Sequence, residues 1–298
     1  MRTPYVGKND LLFKKVFADQ RYAHILKGLI QDIYQIQVDS IHIETPYNIE
    51  TFYELNNKKL AFTEVDVVAR LSNKSVITIE MQVQRQKYYL ERALYYLVTQ
   101  YASNYGQPRH YPVEVGDEQQ AKYRSLYPVY GLSILDFSLD EQTMSSDSLK
   151  HYDFCDLENQ NYLKNRKIRP SHLLKLSFFE LTRNPPFRQQ HLMHWINYFT
   201  KGTVEGTAPD YIQDACQIIA YQNLEQEERN MIDIIEKARE DRKSAYAFYK
   251  DEGRKEGREE QTNLIAKKLF KEGLSLESIQ RITGLTEMEL HSLRSNYH

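Results

Sequence analysis

Cysteine is nearly missing from this chain. Cys155 and Cys216 are the only two in 298 residues; they stand far apart, and neither belongs to a CxxC pair or a Cys/His cluster. That excludes a disulfide framework and a thiolate zinc site, and it fits reduced thiols in a cytoplasmic protein. Long apolar runs are missing too: no stretch approaches the roughly 18 residues that read as a membrane span. The opening, Met1 to Asp10, has no apolar core followed by a small-residue cleavage site, so it does not read as a secretory signal. The nine histidines show no HExxH spacing, and His191 and His194 lack a third ligand nearby. No GxSxG elbow and no glycine-rich phosphate loop occurs.

An excess of either charge is also lacking. Lys and Arg number 39 against 41 Asp and Glu, a net charge of −2, so there is none of the basic footprint that a dedicated nucleic-acid binder carries. A nucleic-acid enzyme with this balance needs basic residues gathered at its site, or bound metal to neutralise its carboxylates. What remains is a chain 41% hydrophobic and 27% charged, long enough for one large domain or two smaller ones. Its 23 tyrosines are scattered, which favours packing over base stacking.

Asp10 to Ile36 carries Leu11, Leu12, Val16, Phe17, Ile25, Leu26, Leu29, Ile30 and Ile33 at helical spacing, with a break near Asp19 to Arg21. Two amphipathic helices are predicted there. Ile41 to Thr45, Glu64 to Leu71 and Val76 to Val83 read as strands, and residues 86 to 105 as a long helix stopped by Gly106. Pro112 to Lys122 reads as a loop, Val129 to Leu139 as a strong strand, Tyr152 to Leu157 as another, and Leu173 to Leu181 as strand or helix. Helical patterning covers 187–200 and 209–221 and then dominates. Beyond residue 222 the composition shifts to a charged helix, Glu225 to Lys250. Gly253 and Gly257 follow on one helical face, marking either a flexible joint or a close backbone approach. Leu264–Lys271, Leu276–Ile282 and Glu287–Leu293 form a small helical module, with Ser275 and Thr286 as N-caps.

The informative stretch is Glu64-Val65-Asp66-Val67, then Ile79-Glu80-Met81-Gln82. Side chains alternate along a strand, so Val65, Val67, Ala69 and Leu71 share a face with Ile77, Ile79, Met81 and Val83. Glu64, Asp66, Thr78, Glu80 and Gln82 share the other. A two-residue turn would mix these faces, whereas a turn of Ser72, Asn73 and Lys74 sets Leu71 opposite Ser75, Asp66 opposite Glu80 and Glu64 opposite Gln82. A polar outer face is routine for a half-exposed hairpin. Carboxylates set directly opposite one another, however, destabilise a sheet and suit a hard divalent cation, first of all Mg²⁺, with Mn²⁺ or Ca²⁺ as substitutes. Both readings stand on the pattern alone.

An acid in one strand, E-x-Q in the next and a long helix after it resemble the PD-(D/E)XK nuclease core. More narrowly, the chain resembles the bacterial recombination-promoting nuclease (Rpn) and transposase family. The supporting stretches are Asn9-Asp10-Leu11-Leu12-Phe13-Lys14-Lys15-Val16-Phe17, Val65-Asp66-Val67, Ile79-Glu80-Met81-Gln82, Arg92 with Tyr95-Tyr96, Glu256-Gly257-Arg258-Glu259 and Ile282-Thr283-Gly284-Leu285-Thr286. The resemblance implies a restriction-endonuclease-like α/β fold, a mixed sheet flanked by helices, over residues 1–222, with a helical C-terminal module over 223–298. It implies Mg²⁺-dependent hydrolysis of DNA phosphodiesters, in recombination, mobile-element biology or phage defence.

Residue by residue, it makes Asp66 and Glu80 the metal-binding carboxylates. Gln82 stands where the motif has lysine and would orient water or phosphate by hydrogen bonds only. Asp10 is either an accessory acid or a helix N-cap. Lys14 either reaches a phosphate or is solvated, and Glu64 is an accessory acid or a surface residue. Arg92 and Tyr96, one helical turn apart, would contact DNA, unless the tyrosine only packs. Double-strand cutting would make a homodimer natural. The alternatives are a non-catalytic nucleic-acid-binding protein and an oligomeric interaction protein. The segment from Leu276 to Leu293 has a helix–turn–helix look, but Arg294 is the only arginine or lysine of its last helix, which favours a packing or partner-binding hairpin.

Overall fold

A computed structural model describes residues 5–44, 65–106, 122–123, 125–139, 147–159 and 173–295. The chain divides into two compact units, Met1–Ile232 and Asp233–His298.

In the first unit, α1 (Asp10–Phe17) and α2 (Ala23–Tyr34) are separated by a single 3-10 turn at Gln20–Tyr22, where the sequence shows a break. They present Leu11, Leu12, Phe13, Val16, Phe17, Ile25, Leu26, Leu29, Ile30 and Ile33 to the core, all fully buried. The strands are β1 (Ile41–Ile43), β2 (Val67–Leu71), β3 (Val76–Gln82), β4 (Val129–Leu135), β5 (Leu149–Asp153) and β6 (Leu174–Glu180). They form one six-stranded sheet in the order β1-β2-β3-β4-β6-β5. β3, β4 and β6 run parallel, while β1, β2 and β5 pair antiparallel at the two sides. β4, in the middle of the parallel set, is buried at every position, as expected for a strand covered on both faces.

α3 (Tyr89–Ser103) covers one face. Its Tyr89 and Ala93 pack with Leu135 and Phe178, and its Leu97 packs with Val76 and Val129. α2 lies on the other face, where Tyr34 meets the Tyr130 ring at 5.2 Å. α4 (Leu192–Lys201) and α5 (Asp210–Ile218) close that side with an aromatic core of Phe13, Phe17, Trp195, Tyr198 and Phe199. Asp32 on α2 fixes both helices, accepting from Trp195 Nε1 at 2.7 Å and from the Tyr211 hydroxyl at 2.9 Å.

Some expectations are corrected here. Thr78 and Gln82, assigned to an outward polar face, are buried, because α3 roofs that face. Val129–Leu139 ends as a strand at Leu135. The strand expected at Tyr152–Leu157 is Leu149–Asp153, set by its antiparallel register with β6, Leu149 opposite Phe179. Leu174–Glu180 is a strand, which resolves that ambiguity. The loop expected at Pro112–Lys122 lies, apart from Lys122, outside the described residues.

The second unit opens within α6 (Gln226–Lys271). This helix is unbroken through Gly253 and Gly257, and a Cβ at either would meet nothing within 4 Å, so neither a joint nor a close approach is found there. α7 (Leu276–Thr283) and α8 (Glu287–Ser295) follow. Ala266, Ile279 and Leu290 make their shared core. Ser275 caps α7 by accepting the Ser278 N–H at 3.3 Å. At α8 a reciprocal box forms: Thr286 Oγ1 accepts from Glu289 N–H at 3.4 Å and Glu289 Oε2 accepts from Thr286 N–H at 2.7 Å. No helix among the described residues is long and apolar enough to cross a membrane.

Candidate active site

β2 and β3 meet in the register that the apolar pattern predicts, Val67 opposite Ile79 through Arg70 opposite Val76. The turn is closed by the Lys74 N–H donating to the Leu71 carbonyl at 2.8 Å and the Leu71 N–H donating to the Ser75 carbonyl at 2.9 Å. Lys74 takes the left-handed conformation, φ 68°, which a three-residue hairpin turn requires at its last position. The pairing ends at Val67, and Asp66 stands one residue before it in the chain, at the end of β2 beside Glu80. Asp66 Oδ2 accepts the Met81 N–H at 2.9 Å, which anchors the acid to β3. Glu80 in turn lies opposite Ser133 of β4, in the middle of the sheet.

The two side chains are only 23% and 14% exposed. Burial pushes the Asp66 carboxyl up to about 6; Lys14 and the Met81 N–H oppose the rise and Asp10 adds to it. Burial pushes Glu80 up to about 7, against Arg92 and with help from Asp66. Each acid is therefore costly to ionise unless a cation is near.

Each acid also has its own cation. Lys14 Nζ stands 3.6 Å from Asp66 Oδ1, which corrects the solvated reading of this lysine. Arg92 Nη2 donates to Glu80 Oε1 at 2.8 Å and to Gln82 Oε1 at 2.9 Å, and Nη1 donates to Gln86 Oε1. Gln82 is spent inside the protein: besides accepting from Arg92, its Nε2 donates to the Gln84 carbonyl at 2.8 Å. Asp10 is not the N-cap of α1. That place belongs to Asn9, whose side chain accepts from the N–H groups of Leu11 and Leu12, while Asp10 begins the helix within electrostatic reach of Asp66. Tyr96 is half-buried and meets the Tyr95 ring at 6.0 Å. Glu64 lies outside the described residues.

Sequence reasoning missed Tyr89, whose ring lies 5.3 Å under the Arg92 guanidinium; its spacing of three from Arg92 on α3 was the available signal. It also missed the neighbouring ion pair, Lys8 to Asp136 at 2.7 Å, tied to this end of the sheet by the Asp136 N–H donating to the Gln82 carbonyl at 3.0 Å. Nothing in the sequence pairs these residues, which come from distant segments. Basic groups are thus gathered at the carboxylates in spite of the neutral overall balance.

Two oxygen-donor carboxylates, part-buried, adjacent and reluctant to ionise alone, suit a hard divalent ion that keeps several waters. Among the described residues no third carboxylate, imidazole or thiol completes a larger cluster.

A sheet with parallel centre and antiparallel flanks, one acid just before its second strand, another on its third and a helix over its centre define a nuclease-like α/β core. The chain belongs to the PD-(D/E)XK nuclease family transposases, whose family model matches residues 7–248. A second model, the C-terminal HTH domain of the Rpn/YhgA-like nuclease family, matches residues 259–295. Of the two readings of the tail, the helix–turn–helix is therefore the one matched, rather than the packing hairpin favoured from its charge. Comparison with curated proteins and with solved structures gave no match.

Proposed function

We propose that the protein is a divalent-metal-dependent DNA endonuclease that hydrolyses phosphodiester bonds, with Mg²⁺ as its ion. The observation that carries this reading is that Asp66, held on the Met81 N–H, and Glu80 lie close enough for each to act on the other's charge at one end of the sheet. Asp66 and Glu80 would hold the ion, which when bound supplies Lewis-acid stabilisation of the scissile phosphate and lowers the pKa of a water. Asp66 is hung on the Met81 N–H by Oδ2, and its Oδ1, which faces Lys14 at 3.6 Å, is the oxygen it would turn to the ion. Glu80 and Gln82 fix Arg92 at the same spot, and Lys14 holds positive charge beside Asp66. Asp10 and Glu64 are accessory acids in this reading, and Tyr96 borders the DNA path.

The helix–turn–helix match supports a DNA tether in the C-terminal unit, with residues 1–222 as the nuclease part and 223–298 as the helical module. Cutting both strands would call for two copies, and a homodimer is the simplest arrangement. The biological setting we assign is recombination, mobile-element movement or phage defence. The same match also favours a second reading, DNA binding without cleavage.

Supercoiled plasmid incubated with Mg²⁺ or with EDTA, using the native chain and Asp66→Ala, tests the proposal. Nicking that needs metal and vanishes in the variant, with its circular dichroism unchanged, supports it. A gel shift without cleavage in Mg²⁺ would move the weight to the binding reading.

A further inference from the structure

The motif's lysine is missing at position 82, yet a cation reaches the same place from another element. We propose that Arg92 supplies the positive charge that a lysine at 82 would bring to the scissile phosphate, and that residue 82 is an amide because Arg92 is there. The inference rests on the nuclease reading above.

The geometry is specific. A single nitrogen of Arg92, Nη2, touches both Glu80 Oε1 at 2.8 Å and Gln82 Oε1 at 2.9 Å. The guanidinium is braced by the Tyr89 ring and by Gln86. An amide at 82 offers the oxygen that the guanidinium needs; a lysine there has three donors and no acceptor. It would set an ammonium against a guanidinium in a cleft where Gln82 is 8% exposed. Position 82 and position 92 can therefore supply one cation between them, but not two. Of the five N–H donors of the guanidinium, Glu80, Gln82 and Gln86 take three and the Nε–H is buried; the second Nη1 N–H, on a side chain 22% exposed, is the donor left for a phosphate oxygen. Arg92 is thus a catalytic residue, and Gln82 is the positioning residue that aims it.

A charge-relocation cycle tests this, with plasmid cleavage in Mg²⁺ and the melting temperature in EDTA as separate readouts. Arg92→Met keeps the apolar stem over Tyr89 and should slow cleavage about 100-fold or more, the loss typical of removing one transition-state charge donor. Gln82→Lys alone should slow cleavage and lower the melting temperature, because it adds a second cation. Combining Gln82→Lys with Arg92→Met should restore at least about tenfold over Arg92→Met and recover the melting temperature lost in Gln82→Lys. Arg92→Lys, which keeps the charge, should fall between wild type and Arg92→Met, and Arg92→Gln serves in place of Arg92→Met if that variant misfolds. Cleavage by Arg92→Met at the wild-type rate overturns the proposal, as does a double variant no faster than Arg92→Met. If the wild type itself does not cleave, the nuclease reading fails first. The melting arm then still decides whether the two positions share one charge: an equal loss from Gln82→Lys with and without Arg92 overturns that.

Discussion

Asp66 reaches across to β3 and accepts the backbone N–H of Met81 at 2.9 Å, so the first acid of the site is fastened to the strand that carries the second, Glu80. The bond is to backbone, so its position follows from strand pairing rather than from any choice of side chain at 81. It also leaves one carboxylate oxygen facing Lys14.

The raised proton affinities of the pair make stability depend on pH. Unfolded carboxyls titrate near 4, whereas Asp66 and Glu80 in the fold titrate at about 6 and about 7. The folded chain therefore binds more protons between these values. The contribution is fully present below about pH 4 and is lost as pH rises through 6 to 7. Without metal, Asp66→Asn, which still accepts from Met81, should melt higher than wild type at pH 8, by roughly 2–4 °C, with little difference at pH 4. Mg²⁺ should raise the wild-type melting temperature at pH 8 and do little at pH 5, where protons hold the site. A Mg²⁺ effect of equal size at both values would speak against metal at this pair.

One substitution should act with opposite signs in two helices. At Gly28 on α2 a Cβ would come within 2.4 Å of the Tyr211 ring, so Gly28→Ala should cost roughly 1–2 kcal/mol despite the better helix propensity of alanine. At Gly253 and Gly257 a Cβ meets nothing, so the same change should stabilise α6 by up to about 1 kcal/mol each. Denaturant titration of the three variants reads the signs directly.

Glu180 is fully buried between Lys150 at 2.9 Å and Arg183 at 2.6 Å. Glu180→Ala leaves two part-buried cations facing each other and should cost about 3–5 kcal/mol, measured by urea denaturation. Replacing Lys150 with Met should cost less, since Arg183 still compensates the carboxylate.

The box at the start of α8 gives a local test of the C-terminal unit. Thr286→Ala removes the oxygen that accepts the Glu289 N–H and should weaken α8 by about 1 kcal/mol. Faster amide exchange confined to residues 287–295 is the expected signature, and unchanged exchange would count against the cap.

Local signals in the sequence carried far in this chain. The hairpin register, Ser275 and Thr286 as caps, and the break between α1 and α2 all follow from near neighbours, where alternation, turn length and capping chemistry act over a few residues. Asp66 and Glu80 became visible as a pair for the same reason. What was not legible depends on distant segments. Thr78 and Gln82 look like outward polar residues until α3 is laid over them, and the placement of α3 is fixed by β4 and β6. Asn9 and Asp10 cap equally well as residue types, so propensity cannot choose between neighbours one place apart. Lys14 and Arg92 resemble ordinary helix-surface cations because their partners lie in the hairpin. Glu180 closes an apolar run like any strand end, and its burial is set by Lys150 and Arg183.

The turn Ser72–Lys74 has a consequence for how such a chain can diverge. The meeting of Asp66 and Glu80 is stored there as a length, not as a set of side chains. Exchanging the letters of the turn leaves the register in place so long as residue 74 accepts the left-handed conformation. If the turn keeps its three-residue form, adding or removing a single residue slides β2 by one step along β3, sends Asp66 to the opposite side of the sheet and sets it against Ile79 or Met81. Selection for activity would therefore police the number of residues in this turn while leaving their identity comparatively free. Elsewhere on the surface the same insertion would pass unnoticed.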